Sequence, residues 1–300
     1  MSLVQGKVRF GITPTLWWND DFPLIDMGIP FEQCVSEMAY AGFEGCSVGH
    51  KYPTNPAVLK AALDLRGLSV SEPWVSTYFT IKGMKKWTMD TFRQQMSFIK
   101  TMGGTDIVLA EFGQAVNPLQ VVALWPNRPT FNDSQWVDLC QGLNEIGKIA
   151  NDGGMRVCYH PHLGTGVMIK DDIDRLMANT DPNLVHLLLD TAHLAAAFVD
   201  PYQVTKQYAL RIKHIHLKDI RADVVNRVRA DNLSFYDGIQ AGIFTVPGDG
   251  AIDFDPIFDV LSKARFQGWL VIEAEQNPAK ANPMQYAKMA RAFLRKKLGW

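Results

Sequence analysis

HLLLDTAH (186–193) carries three consecutive leucines that close on an aspartate. A short apolar run of this kind, bounded by polar residues, reads as a strand buried on both faces. Three other runs share the construction: VCYHPH (157–162), IKHIHLKD (212–219) and WLVIEAEQ (269–276). Each of the four ends in metal-ligand chemistry. Alternate side chains of a strand share a face, so His160 and His162 point one way, as do His214 and His216, and Glu273 and Glu275. In a barrel of parallel strands the C-terminal strand ends converge on one mouth, where the active site lies. Two imidazoles and two carboxylates gathered there suit a divalent cation of the Mn, Co, Zn or Mg kind. The runs point to an enzyme.

Strand and helix patterns alternate along the rest of the chain. Strand-like runs fall at 8–13, 43–48, 68–75, 105–112, 155–160, 185–190, 212–217 and 268–275. Helical periodicity fills 30–41, 55–66, 89–102, 133–152, 170–179, 200–210, 255–266 and 283–299. Asn132-Asp133-Ser134 and Asp171-Asp172 are N-terminal helix signals, and Gly103-Gly104, Gly153-Gly154 and Gly268 are stops. This order predicts an α/β fold, a single (β/α)8 TIM barrel of the catalytic kind over residues 1–300. An open doubly wound sheet would not bring the last strand ends around one ion. The stretch 219–252 reads as irregular, a binding loop or lid.

Bulk composition narrows the partners. Thirty basic and thirty-one acidic residues, net charge −1, leave no basic face for nucleic acid or an anionic membrane surface. No apolar stretch approaches the roughly 20 residues that span a bilayer, and the N-terminus lacks a signal-peptide pattern. Cys34, Cys46, Cys140 and Cys158 are widely spaced, which suits buried thiols in a reducing compartment. A cytoplasmic protein is expected.

Individual residues at the strand ends carry the chemistry. Asp190 is costly in a core unless paired or metal-bound; its other role is to cap the next helix. His216 and Glu273 close their runs, with Glu275 farther out on the same face, while His214 lies deeper and reads as structural. His160 and His162 divide into one ligand and one substrate-facing ring. Glu111, ending DIVLAE, is a candidate metal ligand, substrate contact or acid/base. Trp17, Trp18 and Asn19 after the first strand, and Lys51 after the second, are candidates to wall a polyol pocket; packing of loops on the barrel top accounts for the tryptophans equally well. VPGDGAIDF (246–254) reads as a capped turn, and His50 and His186 are assigned no role.

GITPTLWWNDDFP (11–23), YHPHLGT (159–165), LLLDTAH (187–193), HIHLKD (214–219), FTVPGDG (244–250) and EAEQNPAKA (273–281) together resemble the inosose dehydratases, within the xylose isomerase-like TIM barrels. The resemblance runs nearly end to end. It implies a metal site of His160, Asp190, His216 and Glu273, with His193 near the substrate and His162 in acid/base work. The chain departs from the family pattern at Ser47, where a glutamate is usual, and at Met168. The implied reaction is a metal-dependent dehydration of 2-keto-myo-inositol (scyllo-inosose) to a cyclohexane dione in inositol catabolism. Mn²⁺ or Co²⁺ is favoured by the donor set, with Mg²⁺ and Zn²⁺ also suited. His162, Lys218 and Glu111 are the acid/base candidates, the lysine as a base whose pKa a nearby cation lowers. Asn19, Trp17, Lys51, His193 and Glu275 are the substrate-contact candidates. A sugar or polyol isomerase or epimerase on the same site is the alternative, and an inactive sugar-binding barrel is another. The partner is a small cyclic keto-polyol, with pairing of barrels into a homo-oligomer left open.

Overall fold

The computed structural model describes residues 3–300. Its central sheet is parallel and curls into a barrel: β1 Val8–Ile12, β2 Gly45–Cys46, β3 Ser69–Val70, β4 Trp74–Thr77, β5 Asp106–Glu111, β6 Arg156–Tyr159, β7 Val185–Asp190 and β8 Ile212–Leu217. Two short strands, β9 Asp219–Ile220 and β10 Phe244–Thr245, pair with each other outside it, and β11 Gly268–Ile272 completes the ring against β1 and β8. The expected strand at 68–75 is therefore two pieces. Pro73 has no N–H to give the ladder, so pairing stops there. The carbonyls of Glu72 and Pro73 still accept from the amides of Val48 (3.2 Å) and Val108 (3.3 Å), which closes the ring across the break.

Helices α1 Phe31–Ala41, α2 Pro56–Asp64, α3 Lys85–Thr101, α4 Asp133–Asp152, α5 Lys170–Asn179, α6 Thr191–Ala196 and α7 Pro201–Tyr208 wrap the outside with α10 Asp255–Lys263 and α11 Pro283–Leu298. Most bury an apolar stripe against the strands: Val35, Leu59, Phe92, Leu143, Ile173, Val204, Leu261 and Leu294 belong to one continuous core with Phe10 and Ile12. Each such side chain contributes about 1.5–3 kcal/mol on burial.

The stretch 219–252 is not irregular. It holds α8 Ala222–Ala230 and α9 Phe235–Ala241 between β9 and β10. Val224, Val225 and Val228 on α8 and Phe235 and Ile239 on α9 pack with Phe22, Leu124 and Leu163 into a second apolar cluster. That cluster forms a roof over part of the barrel mouth, since Phe235 lies 5.8 Å from the ring of His162 and 6.2 Å from that of His193. Among the described residues no helix is long and apolar enough to cross a membrane.

Candidate metal centre at the barrel mouth

Four neighbouring strand ends each deliver one donor. His160 follows β6, Asp190 ends β7, His216 lies one residue before the end of β8, and Glu273 follows β11. Parallel pairing sets Asp190 opposite His216, and one ligand atom from each of the four residues lies within 4.8 Å of the others. His160 Nε2 is 3.4 Å from Asp190 Oδ2, and His216 Nδ1 is 3.7 Å from the same oxygen and 3.0 Å from Glu273 Oε2. The Nδ1 of His160 bonds to the Pro161 carbonyl at 2.9 Å, which leaves Nε2 as its inward lone pair.

Asp190 divides its work. Oδ1 accepts from the amides of Ala192 (2.9 Å) and His193 (2.8 Å), capping α6. Oδ2 is buried and has no hydrogen bond among the described residues. A carboxylate oxygen with no aligned hydrogen bond, set between two imidazoles and a second carboxylate, fits a divalent cation.

Lys218 lies behind this set, with no solvent exposure. Its Nζ reaches Glu275 (2.6 Å), Glu273 (2.7 Å), Asp190 (3.4 Å) and Nε2 of His193 (3.0 Å). Burial would lower its pKa, but Asp190, Glu273 and Glu275 overcome that and raise it above the ordinary 10.5. Without a bound cation these surroundings hold it as an ammonium, whereas the sequence expectation is of a base whose pKa a nearby cation lowers. Beside it, burial and then His193 and His160 depress the pKa of His162, while burial and then Lys218 depress that of His193. Both rings are neutral near pH 7, with centroids 3.8 Å apart and planes tilted by 39°.

Charged side chains continue down the barrel axis. From the N-terminal face, Arg156 pairs with Asp106 (2.6 Å), Asp106 with His214 (3.2 Å), and His214 with Glu72 (3.2 Å). Glu72 then meets His216 (3.4 Å), His216 meets Glu273 (3.0 Å), and Lys218 links Glu273 to Glu275. Signs alternate along the whole file. Against the penalty of burial, Glu273 and Glu72 hold His216 up at about 10, and His214 and His216 hold Glu72 down at about 2.

A cleft of about 120 Å³, partly open to solvent, is lined by Asn19, Asp21, Ser47, Glu72, Trp74, His162, His216, Glu273 and Glu275. Asn19 anchors the loop after β1 by accepting from the amides of Asp21 and Phe22, both at 2.8 Å. Its buried Nδ2 has no hydrogen bond among the described residues. Asp21 is exposed as a residue, and desolvation, then the negative charge of Glu275 and Asp20, push its carboxyl up to about 7 while the Asn117 amide donates to it at 3.3 Å.

Three expected site residues stand elsewhere. Trp17 is fully buried, its indole N–H donating to Glu37 of α1 at 2.6 Å. Lys51 is held by Asp26 (2.5 Å) and the Ile29 carbonyl (3.0 Å). Glu111 faces the loop after β4, where its oxygens accept from Thr77, Phe79, Thr80 and Gly113 at 2.8–3.3 Å. Glu72, Asp21 and Trp74, which do line the cleft, are not singled out by the sequence: Asp21 lies in the loop after the first strand, and Glu72 and Trp74 lie within the run at 68–75 that reads as one strand.

Over residues 33–297 the sequence matches the xylose isomerase-like TIM barrel family. It is 45% identical to inosose dehydratase of Geobacillus thermodenitrificans, over 98% of this chain and 99% of that one. Identity to inosose dehydratase 1 of Bacillus cereus is 46% with the same coverage. Among solved structures, the IolI protein with a bound zinc atom superposes with a TM-score of 0.72 at 14% identity, covering 97% of this chain and 98% of that one. At that identity the likeness concerns the fold.

Proposed function

This chain belongs to the inosose dehydratases of the xylose isomerase-like TIM-barrel family, and from that premise we propose that it dehydrates 2-keto-myo-inositol to a cyclohexane dione. It is an enzyme of the hydro-lyase class. The observation that carries the reading is the four-donor set at the strand ends, in which the buried Oδ2 of Asp190 has no aligned hydrogen bond.

In this reading His160, Asp190, His216 and Glu273 hold a divalent cation, Mn²⁺ or Co²⁺ being best suited to two imidazoles and two carboxylates. Bound there, the cation would supply Lewis acidity toward the ketone oxygen. Asn19 and Glu275, which both line the cleft, orient the polyol hydroxyls. His162, neutral and lining the cleft, takes the proton α to the ketone. Asp21, able to carry a proton near pH 7, gives it to the departing β-hydroxyl, which leaves as water. The resulting enol becomes the dione, and proton exchange with solvent resets both residues. Lys218 and His193 work from behind: the ammonium fixes Glu273 and Glu275, and the ring fixes the ammonium.

The test is to incubate metal-stripped protein with 2-keto-myo-inositol, with and without Mn²⁺ or Co²⁺, and weigh the product. Loss of one water only when metal is present is expected. An isomer of unchanged mass would replace the lyase reading with an epimerase, and activity untouched by stripping would remove the metal.

A further inference from the structure

Glu72 has no part in the chemistry above, yet it sits 2% exposed in the gap between β3 and β4. Neither carboxylate oxygen has an aligned hydrogen bond among the described residues, and neither does Nε2 of His214 or of His216. These stranded atoms face one another: Oε2 is 3.2 Å from Nε2 of His214, and Oε1 is 3.4 Å from Nε2 of His216. The opposite nitrogens are engaged elsewhere. Nδ1 of His214 faces Asp106 at 3.2 Å, and Nδ1 of His216 faces Glu273 at 3.0 Å and Asp190 at 3.7 Å.

We infer that Glu72 is a positioning residue for His216, accepting its Nε2 proton from across the lumen so that Nδ1 is the nitrogen presented to the cation. A carboxylate behind a ligating imidazole fixes both its tautomer and its ring plane. A carboxylate suits the position because the Nε2 atoms of two imidazoles lie 3.2 and 3.4 Å from its two oxygens. Glutamate accepts on both oxygens, whereas glutamine would turn an NH₂ toward one of the rings. His214 and Asp106 in turn hold Glu72 in place from below.

This inference rests on the metal reading, and the experiment separates the two. Mn²⁺ alone is titrated into metal-free wild-type protein and Glu72→Gln, with chelator competition for affinity and direct analysis for stoichiometry. One ion per chain is expected, bound about 10–100-fold more weakly by the variant, with an unchanged circular dichroism spectrum. Glutamine fills the same volume, so a packing role alone predicts equal affinity. Affinities within twofold of each other would overturn the inference, as would a second ion per chain that the variant loses, which would make Glu72 a ligand. No binding by the wild type would overturn the metal reading and this inference with it. Should the variant not fold, histidine side-chain nitrogen spectra of the Zn²⁺-loaded wild type decide. Protonation at Nε2 and ligation through Nδ1 of His216 are expected; ligation through Nε2 would overturn the proposal.

Discussion

Asp190 and Lys218 show how one side chain at this mouth serves two ends. Asp190→Asn keeps a carbonyl oxygen for the α6 cap but loses the charge on Oδ2, so turnover should fall by ~10³-fold or more with little change in melting temperature. Asp190→Ala loses the cap as well and should cost a further ~1 kcal/mol; paired melting and turnover measurements separate the effects. Lys218→Met removes the ammonium that Glu273 and Glu275 share. Turnover should drop about 10²–10⁴-fold, the range of acid/base and positioning effects, while Mn²⁺ affinity should not fall, because a cation that competes for Glu273 is gone. Unchanged turnover would take the lysine out of the chemistry. At this scale the sequence was readable where an apolar run stops on a charge, as at Asp190, His216 and Glu273. It was unreadable where the partner is remote: nothing in WWND shows that Trp17 bonds to Glu37, twenty residues on.

Strand β5 and the loop it supports separate pattern from role. DIVLAE closes on a carboxylate as VHLLLD does, and sequence alone gives both the same reading. What differs is the covering segment. The loop from Thr77 to Thr80 drapes over Glu111 and delivers backbone amides to it, whereas nothing comparable covers Asp190 Oδ2. Glu111→Ala should therefore destabilise the protein by about 3–5 kcal/mol by stranding buried donors. Activity per folded molecule should stay near wild type; a loss of activity without a loss of stability would return Glu111 to the chemistry. The roof helices escaped the sequence reading because α8 and α9 are short, with apolar faces that pack on loops rather than on the barrel. Strand three was found but not its break, although Pro73 was the signal, and Glu72 was hidden in that break.

Across the molecule, buried histidines of opposite behaviour set the pH response of the metal-free protein. Burial depresses His162 and His193, and burial with Lys213 and Arg156 brings His186 down to about 4. Their stability contribution is complete above the unfolded value of 6.5 and is lost as pH falls; Glu72, at about 2 against 4.5 unfolded, loses its own as pH falls further. His216, raised to about 10, and His214, also raised, act with the reverse sign: full below 6.5, lost as pH climbs. A melting temperature that peaks near neutrality and declines on both sides is expected, and a steady rise to pH 10 would contradict it. The alternating file from Arg156 to Glu275 also constrains how this barrel can change through descent. Neutralising a buried member such as Asp106, His214 or Glu72 leaves a neighbour of unmatched sign in the lumen, a far larger penalty than exchanging both for apolar residues. Sequence drift along the lumen must then proceed by coupled replacements, each position's tolerance set by its neighbour's current identity, so that the axis is inherited as a block while the helices around it diverge freely.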